Sequence, residues 1–249
     1  MILYFSATGN SKYVAERIAK ATEDITVSIE NKGATITLKP GECLGIVTPV
    51  YFGGIPLPVR DFLEGLRLTG NAGYCFSVLT YGYTSGFSAA EVKKLLFQKN
   101  LRLSASFGVK MPDTWTPVFD VSDPAVVSKT NEAAEESIDS IIHAIQKRGT
   151  GVHGAGRYPY FARFVAKPLY DRARNTGKFY VEDSCIGCGL CADRCPVQAI
   201  EIEGKKPIWK KDKCALCLRC LHHCPKFAIQ YGGGKTKEHG QYRNPYVKI

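Results

Sequence analysis

No stretch of this 249-residue chain is long and apolar enough to read as a membrane span. The longest uncharged run, residues 68–90, holds four glycines and seven Ser, Thr or Asn residues, a polarity that excludes a lipid-exposed helix. Met1 opens directly onto an apolar run ending at Phe5, with no basic stretch and no small-residue cleavage site. No secretory signal is therefore read, and a cytoplasmic location is expected. The loop after the first apolar run, residues 6–11, matches neither G-x-x-x-x-G-K nor G-x-G-x-x-G, and a usable Ser/His/Asp order and paired carboxylates beside the candidate ligand loops are missing. These absences leave no Walker loop, no nicotinamide fingerprint and no hydrolytic triad to argue from.

What is present is ordinary globular material, 45% hydrophobic and 22% charged, which argues against disordered, collagen-like or coiled-coil chains. The net charge of +10 is unevenly placed: residues 1–150 carry 15 Lys/Arg against 15 Asp/Glu, residues 151–249 carry 18 against 8. Composition thus divides the chain near residue 150. The ten cysteines divide at a similar place, with Cys43 and Cys75 alone and eight between Cys185 and Cys224. In a cytosolic setting such a cluster reads as metal-binding rather than as a disulfide framework, while Cys43 and Cys75 read as small buried hydrophobes.

The first half alternates strand and helix signals. Strand-length apolar runs lie at Met1 to Phe5, Thr26 to Ile29, Leu44 to Val50, Tyr74 to Thr80 and Leu101 to Val109. Helix-period segments follow at Ser11 to Ala21, around Val59 to Leu66 and around Val92 to Leu96. A fourth helix starts at Pro124, with Ser122 or Asp123 as its cap, and ends before Gly149. This pattern predicts an α/β fold with a parallel sheet, whose ligands sit beyond the carboxyl ends of the strands. Three loops occupy those ends. Ser6-Ala7-Thr8-Gly9-Asn10-Ser11 opens into a helix and suits a phosphate through backbone N–H groups, the helix dipole and hydroxyl donors; an ordinary capped helix is the plain alternative. Thr48-Pro49-Val50-Tyr51-Phe52-Gly53-Gly54 and Thr80-Tyr81-Gly82-Tyr83 set aromatics beside glycines, a slot for a flat ring or simple core packing.

Taken together, the three loops resemble those of flavodoxins over about the first 150 residues. The resemblance implies a doubly wound five-stranded parallel sheet of order 2-1-3-4-5 and bound FMN. Ser6, Thr8, Gly9, Asn10 and Ser11 would hold the phosphate, with Pro49, Tyr51, Phe52 and Gly53 on one side of the ring and Thr80, Tyr81, Gly82 and Tyr83 on the other. The stacking tryptophan of many flavodoxins has no match in the second loop, and Tyr51, Tyr81, Tyr83 or Trp115 remains open for that place. Gly53 and Gly54 are expected to let a peptide reorient toward the ring.

The second half contains a duplication at a spacing of 29: Cys185-x2-Cys188-x2-Cys191-x3-Cys195-Pro196 and Cys214-x2-Cys217-x2-Cys220-x3-Cys224-Pro225. This is the bacterial ferredoxin pattern, in which the fourth cysteine serves the other cluster. It predicts two [4Fe–4S] clusters, one on Cys185, Cys188, Cys191 and Cys224, the other on Cys214, Cys217, Cys220 and Cys195. Structural zinc explains neither the third cysteine nor the proline, twice over. His222 and His223 are surplus as ligands and read as solvated or hydrogen-bonding groups. The half resembles two-cluster ferredoxins, which implies a small α+β domain.

The expected boundaries are a flavin domain at 1–150, a basic aromatic connector at 151–177, a ferredoxin-like domain at 178–232 and an extension at 233–249. In the connector, Arg157, Tyr158, Tyr160, Phe161, Arg163, Phe164, Arg172 and Arg174 are expected to pack the domains together through their aromatics. Docking of an acidic redox protein, nucleic acid or a membrane surface stands as the alternative. The order of domains resembles flavodoxin–ferredoxin fusions of anaerobes and implies an electron carrier working with a redox protein or enzyme, an acidic one included. A flavin-dependent reductase of a quinone or nitro compound, and a cluster-based sensor binding nucleic acid, are the competing functions. The excess charge speaks weakly for nucleic acid, because two oxidised cubanes with their thiolates bring about −4, and no nucleic-acid partner is expected.

Overall fold

The computed structural model describes residues 1–31, 33, 35–154 and 158–249; Arg157 of the expected connector lies outside them. The first half runs β1 (Ile2–Tyr4), α1 (Asn10–Thr22), β2 (Thr26–Ser28), β3 (Thr35–Thr37), β4 (Cys43–Pro49), α2 (Leu57–Gly65), β5 (Arg67–Thr69), β6 (Tyr74–Tyr81), α3 (Ser88–Phe97), β7 (Ala105–Lys110), α4 (Pro124–Gln146) and β8 (Gly151–Val152). The main sheet has the order β2-β1-β4-β6-β7-β8, all parallel. Its first five strands follow the expected order. The sixth, two residues long, was invisible to periodicity, as was the small parallel pair of β3 and β5.

Apolar side chains alternate to both faces of the sheet. Val14 and Ile18 of α1 join Ile138, Ile142 and Ile145 of α4 on one face; Val59 and Leu63 of α2 join Val92 and Leu96 of α3 on the other. The central strand β6 is buried along its whole length, as a strand covered on both faces must be. Cys75 belongs to the second core, where burial pushes its thiol up to about 12; Cys43 sits half-buried against the first. At α4, the Asp123 carboxylate accepts the Ala125 and Val126 N–H groups, so the cap is Asp123 and not Ser122. Arg148, rather than Gly149, takes the left-handed turn after that helix.

The second half comprises α5 (Arg163–Ala173), β9 (Phe179–Val181), α6 (Leu190–Asp193), β10 (Ile200–Glu203), β11 (Lys206–Trp209), α7 (Arg219–His222), β12 (Ile229–Tyr231) and α8 (Lys235–His239). Two antiparallel ribbons, β9 with β12 and β10 with β11, frame the cysteine loops. The duplication is visible in detail: Ala199 N–H donates to Cys195 Sγ at 3.2 Å, and Ala228 N–H to Cys224 Sγ at 3.3 Å. The connector differs from expectation. Tyr170 is buried against the cysteine loop, but Phe161 and Phe164 face solvent, because α5 turns Phe164 away from Tyr170 and Phe161 stands in the short helical turn before it. No helix among the described residues is long and apolar enough to cross a membrane.

Candidate functional site

The loops after β1, β4 and β6 converge on one cavity of about 270 Å3. Ser6, Thr8, Asn10, Ser11, Pro49, Tyr51, Phe52, Gly53, Thr80, Tyr81, Gly82 and Tyr83 all line it. Gly9 does not; it sits behind the loop with φ of +104°. Asp113 and Trp115, from the loop after β7, complete this wall.

At the end nearest α1 the site suits an anion. Among the described residues α1 has no acidic group in its first turn and no capping side chain, so its first N–H groups and dipole face the cavity uncompensated. Ser6 Oγ accepts the Gly9 N–H at 3.1 Å, which curls the loop, and Ser11 Oγ lies 2.8 Å from Thr80 Oγ1, which ties it to the third loop. The donor set fits the phosphate of FMN. The Asn10 side chain is already engaged: its Nδ2 donates to Pro112 O, and its Oδ1 accepts from Tyr242 and Asn244. What Asn10 offers an anion is its backbone N–H.

At the other end the walls are aromatic. Tyr51 and Gly54 exchange two backbone hydrogen bonds, 2.8 and 2.9 Å, around a turn in which Phe52 (φ +51°) and Gly53 (φ +76°) are both left-handed, the signature of a type I′ turn. A non-glycine residue in that conformation is strained, and here it places the Phe52 ring at the cavity rim. The Gly53 carbonyl accepts Phe87 N–H at 2.7 Å and Ser88 Oγ–H at 3.2 Å. Reorienting that peptide would forfeit these two hydrogen bonds and the Gly54 N–H bond to Tyr51 O, contrary to the mobility expected of Gly53 and Gly54. Trp115 is wedged between Phe52 and Tyr231, with ring centroids 5.8 and 5.5 Å away. At Gly82 a Cβ would fall 2.2 Å from Asp113, so only glycine allows these two loops to meet.

Two smaller cavities lie in the second half. One is lined by Cys185, Cys188, Cys191 and Cys224, the other by Cys195, Cys214, Cys217 and Cys220. The fold thus brings together the crossed sets read from the repeat. Among the described residues no three His, Cys, Asp or Glu side chains converge on a single-ion site; each quartet surrounds a space instead, an arrangement that fits a multi-iron cluster. Cys188 is exposed, whereas Cys214 is buried.

Several functional residues had no place in the reading of the sequence. Leu216, Cys217 and Leu218 form part of the flavin cavity wall. Leu216 and Leu218 are left-handed, at φ +54° and +52°, and occupy the repeat positions of Gly187 and Gly189, at +66° and +79°. The first copy uses the residue that this backbone prefers. The second accepts a cost of roughly 1–2 kcal/mol at each leucine and gains two buried side chains against the flavin site.

Three further departures between the copies lie on the same face. Arg219, at the position of Leu190, makes a bidentate pair with Glu30, both contacts 2.7 Å, and donates to Ser6 O at 2.7 Å. His222 Nε2 donates to Thr114 O at 2.9 Å while its Nδ1 accepts Tyr242 N–H; His223 Nε2 donates to Ala7 O at 3.1 Å while its Nδ1 accepts from Arg194. Burial pushes both imidazoles down to about 4, so each is neutral near pH 7 with both nitrogens used. The two histidines are hydrogen-bonding groups that join the halves.

The extension is not a loose tail. Asn244 N–H donates to Thr8 O at 2.8 Å, and its side chain reaches Asn10 Oδ1 at 3.1 Å. The Tyr242 hydroxyl lies 2.8 Å from Asn10 Oδ1 and 3.2 Å from Asn131 Oδ1. Gln241 donates to Leu221 O and Cys224 O, so the same segment touches the cysteine loop and the phosphate loop.

A comparison with curated proteins finds no match. Among solved structures, a flavodoxin from the domain Archaea is 14% identical, covering 56% of this chain and 96% of its own, with a TM-score of 0.35. A Streptococcus pneumonia TIGR4 flavodoxin is also 14% identical, covering 56% and 97%, with a TM-score of 0.37. The rubredoxin oxygen:oxidoreductase of the anaerobe Desulfovibrio gigas is 16% identical, covering 57% of this chain but 35% of its own, with a TM-score of 0.34. A Flavodoxin domain family matches residues 1–140 and a 4Fe-4S dicluster domain family matches residues 184–228. These domains imply FMN and iron–sulfur centres and support a role in electron transfer. With the first match spanning more than half of its residues, the chain belongs to the flavodoxin-domain family, in the form of a flavodoxin–ferredoxin fusion.

Proposed function

We propose that the chain holds one FMN and two [4Fe–4S] clusters and moves electrons between an external redox partner, the clusters and the flavin. One observation carries this reading: Cys217 and Leu218 line both the flavin cavity and the cavity of the second cysteine quartet. When bound, a flavin stores one or two electrons and a cluster passes one. The residues hold these groups at fixed separation. Cys217 is at once a wall of one site and a ligand of the next, while Arg219, His222 and His223 clamp the second quartet to the backbone of the first flavin loop and of the loop after β7.

The asymmetry of the quartets supports an order. Exposed Cys188 marks the first quartet as the side that an external protein reaches, and the second quartet, none of whose cysteines is exposed and whose Cys214 is buried, adjoins the flavin. Leu216, Leu218 and Trp115 exclude water from the boundary between them. In this reading residues 1–150 and 178–232 supply the cofactor sites, and the segment beyond 233 serves both. Oxygen-free purification with flavin, iron and sulfide analysis, and EPR of the dithionite-reduced protein, tests it. One flavin and two magnetically interacting clusters per chain are expected; a colourless protein after reconstitution, or a single metal ion, refutes the proposal.

A further inference from the structure

The connector helix α5 turns an apolar stripe toward water. Phe161 just before it, then Phe164, Val165 and Leu169, follow at intervals of three, one and four residues, and are 69, 67, 69 and 56% exposed. That spacing is the face of a helix that normally meets a core, yet the core contact of α5 is made by Tyr170 from the other side. The stripe is flanked by cations. The Arg163 guanidinium lies 4.2 Å from the Tyr160 ring centre and 4.4 Å from that of Phe164, and Lys167 and Arg172 are exposed. The one acid on the helix, Asp171, is taken by Arg174 and Lys213. None of Arg163, Lys167 and Arg172 pairs with a carboxylate among the described residues.

We propose that this face of α5 docks on an anionic lipid bilayer, the helix lying in the plane of the interface. The occupant must be apolar and negatively charged over the same narrow strip. A headgroup layer above acyl chains has that profile: Phe161, Phe164, Val165 and Leu169 enter the acyl boundary and the three cations stay among the headgroups. The strip is a convex ridge of two turns, far short of the roughly 20–30 residues per side of a standard protein interface. The excess of 18 Lys/Arg over 8 Asp/Glu in residues 151–249 supplies attraction at longer range. Docking here has a consequence for the redox site. Tyr170, on the inner side of the same helix, lies 5.3 Å from the Phe52 ring and donates to Ala215 O at 2.7 Å, so the bilayer lies one helix thickness from the flavin cavity and the second quartet. The surface itself does not depend on which cofactors the chain carries.

Flotation of the full-length protein, purified with its cofactors, tests this with vesicles of equal parts phosphatidylglycerol and phosphatidylcholine and with phosphatidylcholine alone. The protein is expected to float with the mixed vesicles, to stay behind with phosphatidylcholine, and to dissociate as salt rises. Arg163→Gln/Lys167→Gln/Arg172→Gln is expected to lower partitioning about a hundredfold, at roughly fivefold per surface cation. Phe161→Ser/Phe164→Ser/Leu169→Ser is expected to lower it at least about tenfold, the worth of less than one buried Phe. Both variants should keep wild-type flavin content, iron content and melting temperature, since the altered side chains face solvent apart from half-buried Arg163, whose ring contacts are to Tyr160 and exposed Phe164. Failure of the wild type to float, or equal flotation of wild type and both variants, overturns the proposal. So does a result in which the variants keep vesicle binding but lose binding to an acidic two-cluster ferredoxin, which assigns the face to a protein instead.

Discussion

Gly9→Ala isolates the contact between the phosphate loop and the segment that folds over it. Gly9 has φ of +104°, and a Cβ there would lie 2.7 Å from Asn244 Cβ, 2.9 Å from Ile249 Cδ1 and 3.0 Å from Val247 Cγ2. The backbone conformation costs an L-residue about 1–2 kcal/mol, and forcing a methyl group into an occupied site costs about 1–3 kcal/mol more. Flavin binding requires the curled loop, so a penalty of about 2 kcal/mol or more should fall on it, a rise of about 30-fold or more in the FMN Kd by flavin fluorescence. The control is the same substitution in a chain lacking residues 244–249. There the colliding atoms are gone and only the backbone cost remains, so the penalty should shrink by about 1–3 kcal/mol, and the double-mutant cycle reads that difference as coupling. An equal penalty in both backgrounds would refute the claim that this segment backs the loop.

Glu30→Gln leaves the buried guanidinium of Arg219 without its countercharge, and should lower global stability by about 3 kcal/mol in chemical denaturation; an unchanged midpoint would mean that the pair does not join the halves. Leu218→Gly relieves a left-handed residue but removes a cavity wall. Weaker flavin binding and faster quenching of bound flavin by iodide are expected with iron content unchanged, and a wild-type quenching rate would count against the wall. Cys195→Ser should disturb the EPR signal of the cluster on Cys214, Cys217 and Cys220 before that of the other; the reverse order would undo the crossed ligation suggested by the two cavities.

Local chemistry explains why the loops were legible. A run such as 6–11 advertises its use because small residues, a glycine and a helix start stand side by side, and a cysteine ladder is legible because metal ligands recur at fixed spacing. The partners across the chain were not legible in that way. Arg219 looks like a surface cation until Glu30, 189 residues earlier, is found opposite it. The segment 241–249 has neither hydrophobic period nor motif, since its work is done by Tyr242 and Asn244 hydrogen bonds to distant side-chain amides and by Gln241 bonds to distant backbone. Yet a signal was present in the duplication. Gly187, Gly189, Leu190, Asp193 and Arg194 become Leu216, Leu218, Arg219, His222 and His223 in the second copy, and every replacement faces the flavin half. Comparing the copies position by position brings these five positions into view, where reading only the shared cysteines conceals them. The aromatics of the connector misled for the opposite reason: helical geometry sends Tyr170 inward and Phe164 outward, and composition alone carries no direction.

The contact between Tyr242 and Asn10 joins residues 232 positions apart. During synthesis the phosphate loop is made more than two hundred residues ahead of its cover. A nascent chain can build its sheet, and even house its cysteine loops, while the nucleotide-gripping turn still waits for its lining. Trimming by a protease before residue 242 would return a mature molecule to that unfinished condition, loosening its nucleotide without touching a single cysteine.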